Sequence, residues 1–321
     1  MQNAVDLMPT ARRIIEQMLK VQPGEQATVV TDWECPYTIT MALASCLRYA
    51  GAEVVVVSMT PRDHGGIDPP PAIAGAIVAS QVVIMQTSFA TIHTQTIRRA
   101  LASGVRVCEF WGITEDMMLR GGLTEDPVWL EKTTLRFAEL LEKASEARLT
   151  TPQGTDLRFD LKGRKAMSMA GSVSEPWIGL PGGEAAISPM EGTTEGKLVA
   201  PYLVEHREIG WPKEHLEFTV RAGNVAEIAG GVEAQRLKKL LTDVPGSHNI
   251  AELAIGTNRR CRLEAGLREA KRVWGTAHVA LGDNRSVGGS VQSQLHIDFI
   301  LTQPTIWLDG RQVVRDGQLL D

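Results

Sequence analysis

The segment Gln294–Ile300 reads Gln-Leu-His-Ile-Asp-Phe-Ile, and it holds the most suggestive chemistry in the chain. Successive side chains of an extended strand alternate faces, so His296 and Asp298 share one face while Leu295, Ile297 and Phe299 take the other. An imidazole and a carboxylate placed this way suit a divalent cation, because both reach one ion without bending the backbone. The same pair also reads as an exposed polar face or a hydrogen-bonded His–Asp couple. Three further segments add donors. Gly275–Gly282 sets His278 at the head of an apolar run, Asn249–Asn258 embeds Glu252 among apolar neighbours, and Pro181–Pro189 does the same for Glu184 behind two glycines. A lone buried carboxylate is costly, so each acid wants a cation or a salt-bridging base. No Lys or Arg stands beside either one in the sequence. Gly182 and Gly183 would let backbone approach a ligand closely.

These donors need a scaffold, and the chain reads as two halves. Helical spacing over Leu7–Lys20, Thr38–Ala50, Pro70–Ala79 and Gln95–Ala102 alternates with β-branched runs at Gln26–Thr31, Glu53–Met59, Val82–Gln86 and Val105–Glu109. Gly51 follows the second helix as a C-cap, and Glu53–Met59, four valines in a row, reads as a buried strand of a parallel sheet. A long helix, Pro127–Ala147, closes this half. The order predicts an α/β fold whose N-terminal domain, residues 1–148, is a three-layer parallel-sheet domain. Past Arg148 short strands and turns dominate: Asp156–Leu161, Lys197–Val204, His215–Arg221, Val225–Ala229, Val279–Leu281, Gln294–Leu301 and Thr305–Leu308, with helices at Glu233–Leu241 and Arg262–Ala270. They predict a C-terminal α+β domain, residues 149–321, built on an antiparallel sheet and carrying every donor named above.

Composition narrows the function. With 321 residues, 43% hydrophobic and 22% charged, the chain can bury a large core and is not intrinsically disordered. The 33 basic and 38 acidic side chains leave a charge of −5 without a basic block, which argues against a nucleic-acid partner. The apolar runs Ala52–Met59 and Val82–Met85 fall far short of the ~20 residues of a spanning helix, so no membrane association and a cytoplasmic location are expected. Cys35, Cys46, Cys108 and Cys261 are scattered, with no CxxC pair, and read as free thiols. His64, His206 and His215 read as loop or structural residues. His93, in Thr-Ile-His-Thr, faces a substrate cleft or simply belongs to a helix cap. Trp33 and Trp111 end first-domain strands and can line a pocket, while Gly282–Gly289 reads as a loop over the metal with Arg285 as an anchor for a substrate carboxylate.

Taken in order, Pro-Gly-Gly-Glu, Glu-Leu-Ala-Ile-Gly-Thr-Asn, Gly-Thr-Ala-His-Val-Ala-Leu-Gly and His-Ile-Asp resemble the metallopeptidase family of the thermophilic aminopeptidases T and S. The similarity is nearly continuous from Gly154 to Gly310 and weaker before it. The resemblance implies a two-domain homodimer with a metal centre in its second domain. Its ligands fall on Glu184, Glu252, His278, His296 and Asp298, holding one or two ions of Zn, Co or Mn with Glu252 as the bridge. Metal-activated water would then hydrolyse an amide or peptide bond of a small molecule or short peptide, with Glu184 or Glu252 as general base. One departure stands out: Arg268-Glu269-Ala270-Lys271-Arg272 replaces a denser acidic run of related sequences, and Lys271 and Arg272 would repel a second cation if they faced it.

The same superfamily resembles the iron-dependent 2,5-dihydroxypyridine 5,6-dioxygenases, which use His-His-Asp. On that alignment Glu252 replaces the first histidine, Glu184 and His278 fall at apolar positions, and His248 is near enough to stand in for Glu252. The donor set favours the hydrolase reading. The alternative is a mononuclear non-haem Fe(II) ring-cleaving dioxygenase acting on a dihydroxypyridine-like substrate, and a non-catalytic binding protein is the third possibility.

Overall fold

The computed structural model describes residues 3–175, 177–206 and 208–320. The chain forms two compact units, Met1–Glu131 with Met169–Gly182, and Lys132–Ser168 with Gly183–Asp321. A single break at residue 148 does not describe this division. The strand Glu146–Thr150 and most of the helix Pro127–Lys143 belong to the second unit, and the chain later returns to the first. A return of this kind leaves no mark on local composition.

The first unit is the expected parallel sheet. Strands β1 (Gln26–Asp32), β2 (Glu53–Met59), β3 (Val82–Gln86) and β4 (Arg106–Glu109) pair in the order β2-β1-β3-β4, and the returning strand Ile178–Gly179 adds to β4. All these pairings are parallel. Helix α1 (Ala4–Arg13) packs on α2 (Tyr37–Tyr49), and α3 (Pro71–Val78) packs on α4 (Gln95–Ala102). Val29 and Val30 point to opposite faces of β1 and are both fully buried, so both faces of the sheet are covered. The valine run of β2 breaks the expectation of a buried strand. It is the sheet's edge, and Val55 and Val56 remain 43% and 42% exposed. An unbroken apolar run suits a central strand, but only the pairing order decides which strand lies outermost.

The second unit is two antiparallel sheets face to face. One has eight strands, from Asn224–Gly230 at one edge to Gln318–Leu319 at the other. The second has six, in the order Leu203–Val204, His296–Leu301, Ala277–Gly282, Ile250–Gly256, Glu184–Ile187 and Ala166–Met169. A single apolar cluster joins them, with Leu157, Phe159, Leu198 and Ile228 from the first sheet and Leu253, Ile255, Val279 and Ile297 from the second. Phe218 meets Phe299 across this core edge to face, with ring centroids 4.9 Å apart. Helix Val232–Leu241 adds Ala234, Leu237 and Leu241 to the same core. The parallel sheet with helices and the antiparallel sheets agree with the fold class expected from the sequence. Among the described residues no helix is long and apolar enough to cross a membrane, and no disulfide joins the four cysteines.

Candidate metal centre

The six-stranded sheet explains why the donors meet. The side chains it turns toward the core include Ala185, Leu253, Ile255, Val279, Ile297 and Phe299, all of which join the apolar cluster. Period two then sends Glu184, Glu252, His278, His296 and Asp298 to the other face. Strand pairing sets them side by side: Asp298 lies opposite Ala280, Ala280 opposite Glu252, His278 opposite Ala254, and Glu184 opposite Gly256. The residues interleaved on that face include the small Ala186, Ala254, Gly256, Ala280 and Gly282, while the bulkier Ile300 lies opposite His278 and packs with Leu203 and Ala270. A bulge where Ile250 opposes Leu281 while Glu252 opposes Ala280 is essential to this arrangement. It lets Ile250 enter the core although Glu252, two residues on, faces away from it.

The donor atoms form two groups that share Glu252. His296 Nε2 lies 3.4 Å from Glu252 Oε2 and 3.1 Å from Asp298 Oδ1. His278 Nε2 lies 3.3 Å from Glu252 Oε1, 3.6 Å from Glu184 Oε1 and 4.0 Å from Asp298 Oδ2. Four of the five side chains are almost wholly buried, whereas that of His296 keeps 30% exposure. His296 Nδ1–H donates to the carbonyl of Asp283 at 2.7 Å, which leaves Nε2 turned toward the acids. The carboxylates raise the pKa of both histidines against the opposing effect of burial. Burial likewise opposes ionisation of Glu252 and Asp298. The histidines overcome it at Glu252, whose pKa falls to about 2, and Lys271 with both histidines holds Asp298 well below the usual carboxylate range.

Basic side chains complete the cluster. The Lys271 ammonium donates to Asp298 Oδ2 at 2.6 Å and lies 3.2 Å from Glu205 Oε2 and 3.9 Å from Glu184 Oε2. Arg272 Nη2 lies 3.5 Å from Glu184 Oε2. Burial works against the charge on Lys271, but Asp298, Glu184 and Glu205 outweigh it and raise its pKa. Glu184, which has no Lys or Arg beside it in the sequence, therefore finds its basic partners in space. Lys271 and Arg272 are remote in sequence and arrive through pairing of Asn258 N–H with the Arg272 carbonyl. Glu205 was not a sequence candidate; it joins because its own N–H bonds the Asp298 carbonyl beside a two-residue edge strand. Burial lifts its pKa to about 7, with Asp298 adding to the rise and Lys271 opposing it. Gly183 serves packing against Asn258, whose Cβ would sit 2.6 Å from an added Cβ, with φ +119.

The remaining sequence candidates lie elsewhere. His248 is exposed, bonds Ser247 Oγ at 3.1 Å and does not join the donors. Arg285 is exposed and its guanidinium is engaged by Asp283 at 2.9 Å, two residues before it in the same loop. His93 is an exposed residue of the first unit, just ahead of α4. His64 bonds Gly65 O, and His215 pairs with Glu217 at 3.5 Å. Trp33 is 73% exposed.

Spacings of 3.1 and 3.4 Å suit adjacent ligands of one ion, since donors ~2.1 Å from a metal at right angles lie ~3 Å apart. Asp298 Oδ1 is buried and makes no hydrogen bond, as expected of an atom reserved for an ion. A sandwich with imidazole and carboxylates converging on one buried face is the architecture of a metal-binding enzyme. The chain belongs to the 2,5-dihydroxypyridine 5,6-dioxygenase family, whose model matches residues 8–321. It is 24% identical to the 2,5-dihydroxypyridine 5,6-dioxygenase of Pseudomonas putida, over 96% of this chain and 95% of that protein. The structure of the 2,5-dihydroxypyridine dioxygenase from Pseudomonas putida KT2440 superposes with a TM-score of 0.83 at 19% identity, covering 100% of this chain and 98% of that one. Wild-type AmpT from Thermus thermophilus follows at a TM-score of 0.70 and 15% identity, with 99% of each chain covered.

These findings correct the leading functional expectation. The likeness to AmpT shows a shared fold, but the family model and the curated relative both carry dioxygenase chemistry, so the amide- or peptide-bond hydrolase is set aside. Counting donors misled the sequence reading: five residues of ligand type do not by themselves distinguish a hydrolase from a dioxygenase.

Proposed function

We propose that this protein is an iron-dependent dioxygenase that opens the ring of a hydroxylated N-heteroaromatic compound, a dihydroxypyridine or a close analogue. The observation that carries the reading is the convergence of His296 Nε2, Asp298 Oδ1 and Glu252 Oε2 in a chain of this family. Nitrogen and oxygen donors of this kind suit ferrous iron. A ferrous ion held by these three would supply open positions at which dioxygen and a substrate hydroxyl meet.

The protein's own side chains set the conditions for that chemistry. The Asp283 carbonyl fixes the ring orientation of His296, and Lys271 fixes Asp298 through Oδ2, leaving Oδ1 turned toward His296. His278 holds the other oxygen of Glu252. Burial of Glu184, Glu252, His278 and Asp298 excludes bulk water from that side of the cluster, so a flat substrate approaches past the exposed part of His296. Glu252 makes this centre richer in negative charge than the His-His-Asp set that the resemblance implies. The neighbouring histidine and bases offset the additional carboxylate.

The test is oxygen uptake by protein reconstituted with Fe(II) and supplied with 2,5-dihydroxypyridine and related hydroxypyridines. The reading requires one dioxygen consumed per ring opened and loss of turnover under argon or after chelation. Turnover that continues without oxygen refutes it. The reading extends to a homodimer, supported by the bare valine edge of β2, and light scattering should give twice the 35.0 kDa chain mass.

A further inference from the structure

Four carboxylates, Glu184, Glu205, Glu252 and Asp298, crowd one corner of the second unit, and the donor atoms there fall into two groups rather than one. Glu184, Glu252 and His278 form a donor group of their own, with Asp298 Oδ2 4.0 Å from His278 Nε2. Glu184 Oε2 is buried and makes no hydrogen bond. Lys271 Nζ sits against this group, 2.6 Å from Asp298 Oδ2, 3.2 Å from Glu205 Oε2 and 3.9 Å from Glu184 Oε2. These acids are arranged around the ammonium as they would be around a metal ion.

The position of that ammonium says what it does. A second divalent ion on Glu184, Glu252, His278 and Asp298 would sit beside Lys271 Nζ, which already holds Asp298 Oδ2 at 2.6 Å and lies 3.9 Å from Glu184 Oε2. Two like charges would then be buried against the same oxygens, which low-dielectric surroundings penalise heavily. Arg272 reaches Glu184 from the same side at 3.5 Å, so it reinforces the effect without touching Asp298.

We propose that Lys271 is a built-in cation that restricts this centre to one metal ion, and that removing it opens a second metal site on Glu184, Glu252, His278 and Asp298. The inference rests on the metal-centre reading above and deepens it: the lysine makes a one-metal site from a donor set large enough for two. Lys271 also acts as a positioning residue, because its hold on Oδ2 fixes the rotation of the Asp298 carboxylate.

The experiment loads metal-free protein with Mn(II) as a redox-stable probe and reads stoichiometry by equilibrium dialysis with elemental analysis. Electron paramagnetic resonance is recorded in parallel, since two ions sharing Glu252 give a spin-coupled spectrum and one isolated ion does not. The parent and Lys271→Arg should bind one Mn(II). Lys271→Met should bind two, its second site tightened on the order of 100-fold over the parent by loss of a like charge. Lys271→Gln, closer in polarity, serves as the second variant if the methionine form does not fold. One ion in the folded methionine or glutamine variant, or two in the parent, overturns the inference while leaving the metal centre in place. No ion in the parent removes the metal-centre reading and the inference with it.

Discussion

Glu191 touches none of the donors, yet it holds the loop that orients His296. Its Oε1 accepts from Asn284 Nδ2 at 3.0 Å, from Ser290 N–H at 2.8 Å and from Ser290 Oγ at 3.0 Å, while its other oxygen pairs with Arg164. Asn284 is fully buried and accepts from Val291 N–H at 2.8 Å. The residue before it, Asp283, presents the carbonyl that binds His296 Nδ1. Burial alone would raise the pKa of Glu191, but these donors outweigh it and bring it from 4.5 down to about 2. At about 1.4 kcal/mol per unit the ionised form would contribute about 3 kcal/mol. The side chain is 24% exposed, so solvent screening reduces that to about 1–2 kcal/mol. The depressed pKa places this stability above pH 4.5, with progressive loss as pH falls toward 2. Glu191→Gln keeps the shape and most hydrogen bonds but loses the charge. Urea unfolding should show a deficit of about 1–2 kcal/mol at pH 7 that narrows below pH 4.5, with metal affinity weakened about 10-fold through the loosened Asp283 carbonyl. Equal stability at pH 7, or a deficit unchanged between pH 5 and pH 3, would refute the reasoning.

Two further outcomes follow from the structure. His296→Ala should lose metal retention in elemental analysis with an unchanged circular dichroism spectrum, because its ring is partly exposed and lies outside the apolar core. In the first unit, burial raises the pKa of Glu175 to about 7 despite three backbone N–H donors from Ala170, Gly171 and Ser172. The folded state therefore binds its proton more tightly than the unfolded state and loses stability as pH rises from 4.5 to 7. Glu175→Gln should accordingly gain about 1–2 kcal/mol over the parent at pH 8 and little at pH 5 in thermal melts, and equal shifts at both would contradict the assignment.

The sequence revealed the scaffold where a single periodicity governs it. Val82–Gln86, Gln95–Ala102 and Thr305–Leu308 are elements with the bounds that their pattern predicts. His296 and Asp298 share a face because no bulge interrupts their strand. The strands of Glu184 and Glu252 were not legible as strands. Glu184–Ile187 and Ile250–Gly256 are buried along their whole length, so apolar and small residues occupy both faces and no alternation marks them. At Ile250 strict alternation would even mislead, since it would put that isoleucine on the same face as Glu252. The position of Lys271 was also hidden, because a basic residue after a one-turn helix looks solvated until the loop carrying it folds against Asn258.

Glu252 is the point at which this chain departs from the His-His-Asp pattern that the resemblance implies, and its geometry says what a change there costs and gives. Its two oxygens are divided between two imidazoles, Oε1 toward His278 at 3.3 Å and Oε2 toward His296 at 3.4 Å. Glu252→Gln keeps the length but removes the charge and leaves one amide end facing a histidine with a donor. Removing one member of a buried charged pair typically costs about 3–5 kcal/mol, so the metal-free variant should be clearly destabilised. Its affinity for Fe(II) should fall on the order of 100-fold or more, since even losing a partner outside the ligand shell can cost that much. Glu252→His behaves differently if Glu252 is a ligand: a neutral imidazole nitrogen replaces the lost oxygen, and His296 and Asp298 complete a two-histidine, one-carboxylate set. Metal analysis after anaerobic loading should therefore rank parent and Glu252→His together, with Glu252→Gln far below. If Glu252→Gln retains Fe(II) like the parent, Glu252 is a partner of the two histidines and not a ligand, and the ion belongs to His296 and Asp298 with a third donor from elsewhere.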